Sequence, residues 1–194
     1  MCASIAQDLG VGSLSIGSEF SSLERHDAHW RQLISSTRLQ YDGQLIYSAN
    51  WDHFDAVPFW DALDAAGVTG YFGLPSANRT DVEAAWAVHG AKLAALSVAI
   101  DRPVVLTEVG YPSRGSAALR PWDDGGLATP DLALQASLYE SFFRAHASSR
   151  SFSGLFVWNW FGWGGGADAG YSPRGKPAAA VIKRHFSAWA RAAG

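Results

Sequence analysis

Short apolar runs alternate along this chain with longer segments in which apolar residues recur at helical spacing. The apolar runs predict strands, and the longer segments predict the helices between them. Five strands are predicted, at residues 11–17, 44–50, 68–72, 103–109 and 154–160. Helices are predicted at residues 25–41, 58–66, 81–100, 130–148 and 177–192, after a short helical segment at 1–9.

Several residues indicate where these helices begin and end. Thr80 and Glu83 have the spacing of a capping box, in which each side chain accepts a hydrogen bond from the other residue's backbone N–H. Pro130 suits the first turn of a helix, because its missing N–H has no helical partner there. Gly10 and Gly67 lie where a helix should stop.

The alternation of strands and helices predicts the fold class. Such strands pair in parallel through right-handed crossovers, which makes this an α/β protein. The predicted strands recur about every 36 residues, so a closed barrel of eight units would need about 290 residues. A chain of 194 residues therefore forms either an open five-stranded sheet or the latter part of a barrel. No linker divides it, so we expect one domain over residues 1–194.

Composition and charge exclude several functional classes. The chain carries 15 basic and 18 acidic side chains and no basic run, so nucleic-acid binding is not expected. Its one cysteine, Cys2, excludes an internal disulfide framework and a metal site built from cysteines. No apolar stretch approaches the roughly 20 residues that span a bilayer, and no basic residue precedes Arg25. We therefore expect no membrane partner, and no signal peptide is visible.

Two of the predicted strands end in a glutamate. Glu19 follows Ser18 at the end of the first strand, and Glu108 follows Thr107 at the end of the fourth. Because parallel strands end at one edge of a sheet, both carboxylates should emerge on the same side. Either could pair with an arginine or cap the next helix, but two such glutamates among small and apolar residues favour a functional pair.

Paired carboxylates at strand ends are the apparatus of glycoside hydrolysis. One carboxyl group stays protonated to donate to the leaving oxygen, and the other stays ionised to attack the anomeric carbon or activate water. Aromatic side chains lie at or just after the ends of the other predicted strands, where they could hold the flat faces of sugar rings: Trp51, Tyr71, Phe72, Trp158 and Trp160. Four further tryptophans are interpreted as packing residues: Trp30, Trp60, Trp86 and Trp189.

Four ordered motifs give the chain a specific resemblance. They are Gly17-Ser18-Glu19, Tyr47-Ser48-Ala49-Asn50-Trp51-Asp52, Leu106-Thr107-Glu108-Val109-Gly110-Tyr111 and Phe156-Val157-Trp158-Asn159-Trp160. In that order they resemble strands four, five, seven and eight of a clan A glycoside hydrolase, closest to the β-mannanase-like family 113. Gly70-Tyr71-Phe72 fits strand six. The resemblance implies a partial (β/α)8 TIM barrel whose five parallel units correspond to strands four to eight.

The resemblance also implies an activity and residue roles. The activity is retaining hydrolysis of a β-1,4-linked polysaccharide or oligosaccharide of the mannan type. It needs no cofactor and no metal. Glu19 is then the general acid/base, Glu108 is the nucleophile, and Tyr71 hydrogen-bonds the nucleophile. Trp158 forms the floor of the subsite for the reacting sugar. The substrate-binding set is Ser18, Asn50, Trp51, Tyr71, Trp158 and Trp160.

The sequence departs from the clan's pattern in two ways. Ser18 stands where the clan most often has an asparagine that binds the sugar 2-OH, so another side chain does that work or the contact is weaker. Strands one to three have no counterpart, and residues 1–9 resemble the end of the helix before strand four. The open seam that results predicts self-association through exposed strand edges and apolar surface.

Retaining chemistry sets a geometric condition on the two glutamates. Three strand spacings separate Glu19 from Glu108, which is about 14 Å in a flat sheet. The mechanism needs carboxyl groups about 5 to 5.5 Å apart. We therefore expect a sheet curved as in a barrel, on which both side chains point inward and converge.

Four other signals do not lead to a function. Gly162-Trp163-Gly164-Gly165-Gly166-Ala167 fits a dinucleotide fingerprint, which needs an acidic residue about 20 positions later at the end of a second strand. No Asp or Glu occurs after Asp168, and only one helix remains, so nucleotide binding is not expected. His26 and His29 lack a third metal ligand, and His53 lies in a loop where it could hydrogen-bond a sugar. Arg114, in the loop after the fourth strand, is interpreted as solvated.

Two other functions compete with hydrolysis. A non-catalytic carbohydrate-binding protein would keep the aromatic rings and lack turnover. A structural barrel piece would act inside a larger assembly and bind a partner chain at the open seam. Sugar binding that survives loss of either glutamate would favour the first, and co-purification with a partner chain would favour the second.

Overall fold

The computed structural model of the chain describes residues 1–123, 125–147 and 151–193. Its elements, in chain order, are α1 (Cys2–Asp8), β1 (Ser13–Ser18), α2 (Asp27–Arg38), β2 (Gln44–Ala49), β3 (Ala65–Thr69), α3 (Arg79–Ile100), β4 (Val104–Val109), α4 (Leu132–Ala145), β5 (Gly154–Val157) and α5 (Pro177–Ala193). Two short 3₁₀ turns, Phe54–Ala56 and Trp60–Ala62, lie between β2 and β3.

The five strands form one sheet in the order in which they occur along the chain. β1 pairs in parallel with β2, with Ser13 opposite Gln44, and β2 pairs in parallel with β3, with Ile46 opposite Ala65. Sequential order with parallel pairing is the pattern of repeated β/α units. The predicted α/β class is therefore confirmed.

The segment before β3 differs from its prediction. Residues 58–66 were expected to form a helix ended by Gly67, but they contain one 3₁₀ turn, and β3 already begins at Ala65. Gly67 lies inside β3, where an added Cβ would be 2.5 Å from the carbonyl oxygen of Tyr47. The small residues that suggested a helix end are thus needed for close packing between strands.

The helix ends show which local signals dominate. Gly10 follows α1 with a φ of 64° and ends it as predicted. The prediction of a capping box at Thr80 is wrong, because α3 already begins at Arg79. The side-chain oxygen of Asn78 instead accepts the Thr80 N–H at 2.8 Å. Asp131 caps α4 by accepting the Leu134 N–H at 2.9 Å, and Ser148, the predicted end of that helix, lies outside the described residues.

Contacts divide the chain into two compact units. Unit 1 comprises Met1–Gly70, Leu93–Thr107 and Ser151–Leu155, and unit 2 comprises Tyr71–Lys92, Glu108–Arg150 and Phe156–Gly194. In unit 1 the core is an aromatic cluster in which Trp30 stacks on Phe59 at 5.0 Å between ring centroids. Tyr47 meets the edges of both rings, at 4.9 and 5.3 Å.

The core of unit 2 is built around Trp86. This side chain is fully buried, and its indole N–H donates to the Tyr111 hydroxyl at 2.9 Å. Where α4 and α5 pack together, Trp189 meets Phe143 edge-on at 5.3 Å. The tryptophans interpreted as packing residues therefore occupy packing positions: Trp30, Trp60, Trp86 and Trp189.

We predict that His89 makes unit 2 sensitive to mild acid. Its ring stacks on Phe72 at 4.3 Å, and burial lowers its pKa to about 4, with the charge of Lys92 acting in the same direction. Between about pH 6.5 and pH 4 the unfolded chain therefore binds a proton that folded His89 does not, so stability falls as the pH falls. His89→Phe keeps the stacked ring and should lose less stability over this range, measured as the change in Tm.

The Tm of the wild type and the Tm of His89→Phe are both measured at each pH. His146, whose pKa burial also lowers, remains in both and adds the same slope to each. Equal slopes for the wild type and His89→Phe would contradict the prediction.

Candidate active site

Glu108 and Tyr71 are brought together within unit 2. Glu108 is the fifth residue of β4, and Tyr71 follows the end of β3 by two residues. The Tyr71 hydroxyl donates to Oε2 of Glu108 at 2.7 Å. Tyr71 is buried while Glu108 is half-buried, so a rigid donor holds a carboxylate that remains accessible. This bond stabilises the negative charge and fixes the orientation of the carboxylate.

Trp158 is held against the segment that follows Glu108. Its backbone N–H donates to the Val109 carbonyl at 2.9 Å, directly after β5 ends. At Gly110 an added Cβ would lie 2.3 Å from the Trp158 carbonyl oxygen, so only glycine permits this approach. The Trp158 side chain is 41% exposed, and the peptide between Trp158 and Asn159 is cis.

We predict that Gly110→Ala destabilises unit 2 by about 1–3 kcal/mol, because the new methyl group overlaps backbone that cannot move as a side chain can. The measurement is urea unfolding followed by tryptophan fluorescence. Gly115→Ala is the matched control, since no atom lies within 4 Å of the position of its Cβ. Equal unfolding midpoints for the two variants would show that the segment after β4 adjusts without cost.

Ser18 and Glu19 lie at the end of β1, in unit 1. The register of β1 against β2 shifts between Ser15 and Ser18, and Ser18 lies opposite Ser48. Glu19 is exposed and has a φ of 57°, in the left-handed region that residues other than glycine seldom adopt. Its N–H donates to the Ser48 carbonyl at 2.8 Å. The chain is therefore turned sharply at the proposed acid/base.

Asn50 and Trp51 follow β2 in the same unit. The Asn50 side-chain oxygen accepts the Trp51 N–H at 2.9 Å, and both residues are half-buried. His53 was expected to be able to hydrogen-bond a sugar, but its ring nitrogens face protein carboxylates. Nδ1 lies 2.5 Å from Asp52 Oδ1, and Nε2 lies 3.0 Å from Glu24 Oε2. The ring therefore lies between two carboxylates of the protein.

Exposed aromatic rings cluster in sequence after β5, in unit 2. Trp160 was predicted to bind sugar, and it is 48% exposed. Phe161 and Trp163 were not predicted and are 82% and 94% exposed. Large exposed rings are unusual for a soluble domain and are suited to sugar faces. The position of Trp163 among glycines in a loop after a strand was the signal that sequence reasoning passed over.

The glycines of that loop have a packing role. An added Cβ at Gly164 would lie 2.3 Å from the Arg174 carbonyl, and the Gly165 N–H donates to the same carbonyl at 2.8 Å. Arg114, interpreted as solvated, is in fact buried, and its guanidinium donates to the Gly125 carbonyl at 2.7 Å. Both features hold loops of unit 2 in shape.

The described residues contain neither a cluster suited to a metal ion nor a helix suited to a membrane. Within residues 1–123, 125–147 and 151–193, no group of three or more His, Cys, Asp or Glu side chains is arranged to hold a metal ion. None of the helices in this part of the chain combines the length and apolar character needed to cross a membrane.

Comparisons with known proteins agree on one family. The model of Glycoside Hydrolase Family 113 matches residues 1–163. The complex structure of a GH113 beta-1,4-mannanase has a TM-score of 0.86 and 28% identity, and the match covers 96% of this chain. The GH113 beta-mannanase AaManA from Alicyclobacillus acidocaldarius, in complex with ManMIm, has a TM-score of 0.84 and 31% identity over 96% of this chain. No curated protein matches the chain.

A more distant structure shares only the fold. A beta-glucuronidase from an uncultured Clostridium sp. has a TM-score of 0.65 and 16% identity, covering 90% of this chain and 32% of its own. The chain spans 59% of the length of the first mannanase and 58% of AaManA. These likenesses and the sheet order confirm the predicted fold, five β/α units of a partial (β/α)8 TIM barrel. Since the family model matches more than half of its residues, the chain belongs to glycoside hydrolase family 113.

Proposed function

We propose that this chain carries the catalytic residues of a retaining glycoside hydrolase that cleaves β-1,4-linked mannan or mannooligosaccharides. The observation that carries the proposal is the 2.7 Å hydrogen bond from Tyr71 to Glu108 at the end of a strand in a family 113 chain. The hydrogen bond stabilises the negative charge of the carboxylate and holds it in one orientation, as the nucleophile of a retaining mechanism requires. The names of the related structures, β-1,4-mannanase and β-mannanase, support the choice of substrate.

The mechanism is a double displacement. Glu108 attacks the anomeric carbon, the glycosidic C–O bond breaks, and Glu19 gives its proton to the departing oxygen. The glycosyl group is then an ester of Glu108. Glu19, now ionised, takes a proton from water, and the water oxygen attacks the anomeric carbon and releases Glu108. The two inversions leave the new reducing end with the configuration of the starting bond.

Tyr71 supports both steps through Glu108. While Glu108 is ionised, the hydroxyl stabilises its charge, and it holds the attacking oxygen in one orientation. The remaining members of the proposed set contact the sugar, with the exposed Trp158 ring as a floor. They are Ser18, Asn50, Trp51 and Trp160.

The test is hydrolysis of mannohexaose and soluble mannan by the purified chain. Proton NMR at early times should show the β-anomer of the new reducing end before mutarotation, which is the signature of retention. Initial appearance of the α-anomer would overturn the mechanism. Binding of mannohexaose without products would favour the non-catalytic alternative.

The oligomeric state belongs to the same experiment. We propose that residues 1–194 act as a single incomplete barrel domain that self-associates through its open seam. Light scattering of the active fraction should then give a mass above 20.8 kDa. An active species of monomer mass would overturn the association, and a stoichiometric partner chain would favour the structural alternative.

A further inference from the structure

A buried hydrogen-bonded pair in unit 1 has no part in the mechanism above. Tyr47 is fully buried and Glu24 is 4% exposed, and the Tyr47 hydroxyl donates to Glu24 Oε1 at 2.7 Å. Burial, and next the bond to Glu24, raises the pKa of Tyr47 well above its ordinary value, so the hydroxyl keeps its proton. The second carboxylate oxygen of Glu24 lies 3.0 Å from His53 Nε2.

This pair is connected to the proposed acid/base through the backbone. The Tyr47 hydroxyl oxygen accepts the backbone N–H of Phe20 at 2.9 Å, and Phe20 directly follows Glu19. The N–H of Glu19 itself donates to the Ser48 carbonyl at 2.8 Å. Two consecutive N–H groups are thus tied to two consecutive residues of β2, one through a side chain and one through the backbone.

These two hydrogen bonds hold the backbone on either side of the left-handed residue Glu19. A residue with a φ of 57° and a large side chain adopts that conformation only where its surroundings impose it. We propose that Tyr47, with its proton directed to Glu24, is a positioning residue that sets the backbone turn from which the Glu19 carboxyl group reaches the leaving oxygen. The proposal rests on the proposed role of Glu19 as general acid/base.

Such a residue has a kinetic signature. Proton donation matters for a poor leaving group and little for a good one, so misplacing the acid changes the ratio between the two. Tyr47→Phe should lower kcat/KM about 10-fold for a phenyl β-mannobioside and less than about 3-fold for the 2,4-dinitrophenyl β-mannobioside. Equal losses for both substrates would reduce Tyr47 to a structural residue and overturn the proposal.

Tyr41→Phe is the matched control. Tyr41 is also buried, and its hydroxyl donates to a backbone carbonyl, that of Val11, at 2.7 Å. The control removes one buried hydroxyl from the same unit without touching the turn at Glu19. It should change kcat/KM by the same factor for both substrates.

Amide hydrogen exchange tests the anchoring without reference to activity. In Tyr47→Phe the amides of Glu19 and Phe20 should exchange at least about 10-fold faster than in the wild type, because the Phe20 N–H loses its acceptor. In Tyr41→Phe they should not change. Unchanged exchange in Tyr47→Phe would overturn the proposal. Faster exchange in a chain that hydrolyses neither substrate would contradict the proposed function while leaving the anchoring established.

Glu24→Leu is a second variant that tests the proposal if Tyr47→Phe does not fold. Glu24→Leu keeps the Tyr47 ring and removes the acceptor that directs its proton. It should slow hydrolysis of the phenyl substrate about 3-fold more than that of the dinitrophenyl substrate, with faster exchange at Phe20. Wild-type exchange and an unchanged ratio in this variant would also overturn the proposal.

Discussion

Glu108→Gln is expected to lower kcat for mannohexaose by at least about 10⁴-fold, because the amide cannot form the glycosyl ester. In transition-state terms this is a loss of about 5.5 kcal/mol or more. The variant should fold normally, since an amide oxygen can still accept the Tyr71 hydrogen bond that the structure shows at 2.7 Å. The measurement is initial rates of reducing-sugar release, with KM determined separately.

A matched control and a chemical rescue complete this test. Glu83→Gln makes the same change at a side chain of α3 whose carboxylate pairs with Arg144, and it should leave kcat unchanged. Glu108→Ala with azide should release α-mannosyl azide, because azide attacks from the face that the carboxylate occupied. A residual kcat above about a tenth of the wild type in Glu108→Gln would rule out Glu108 as the nucleophile.

Much of the sheet could be predicted because its strands are marked locally. β2 and β4 begin and end within one residue of their predictions, since each is an apolar run bounded by polar or turn residues. β3 was misplaced by three residues because it begins with Ala65 and Ala66, whose high helix propensity extended the predicted helix into the strand. What decides their conformation is the carbonyl of Tyr47 beside Gly67, a contact with a distant part of the chain.

Candidate site residues that are marked by their local sequence could be predicted, whereas those that depend on contacts with distant residues could not. Glu19 and Glu108 could be proposed as catalytic residues because a carboxylate at the end of an apolar strand is visible in the sequence. Glu24 looks like an ordinary loop residue, and only folding places it against Tyr47, 23 positions away. Arg114 was misjudged for a related reason, since acceptors such as the Gly125 backbone carbonyl leave no pattern in the sequence.

Glu19→Gly is expected to separate the two steps of catalysis. Glycine adopts a φ of 57° without strain, so this variant should fold at least as well as the wild type. Without the acid, kcat/KM for a phenyl β-mannobioside should fall at least about 10³-fold, whereas the dinitrophenyl substrate should still form the glycosyl ester. Hydrolysis of that ester then becomes the slow step, because water has lost its general base.

Azide should then identify the role of Glu19. The ion needs no base and fits the space left by the missing side chain, so it should raise kcat for the dinitrophenyl substrate and give β-mannosyl azide. Asp8→Ala, which removes an exposed carboxylate at the end of α1, is the control. It should hydrolyse both substrates at the wild-type rate, and azide should not raise its kcat. A uniform loss for both substrates, or α-mannosyl azide as the product, would show that Glu19 is not the acid/base. The β-product would fix Glu19 and Glu108 on opposite faces of the anomeric carbon, as double displacement requires.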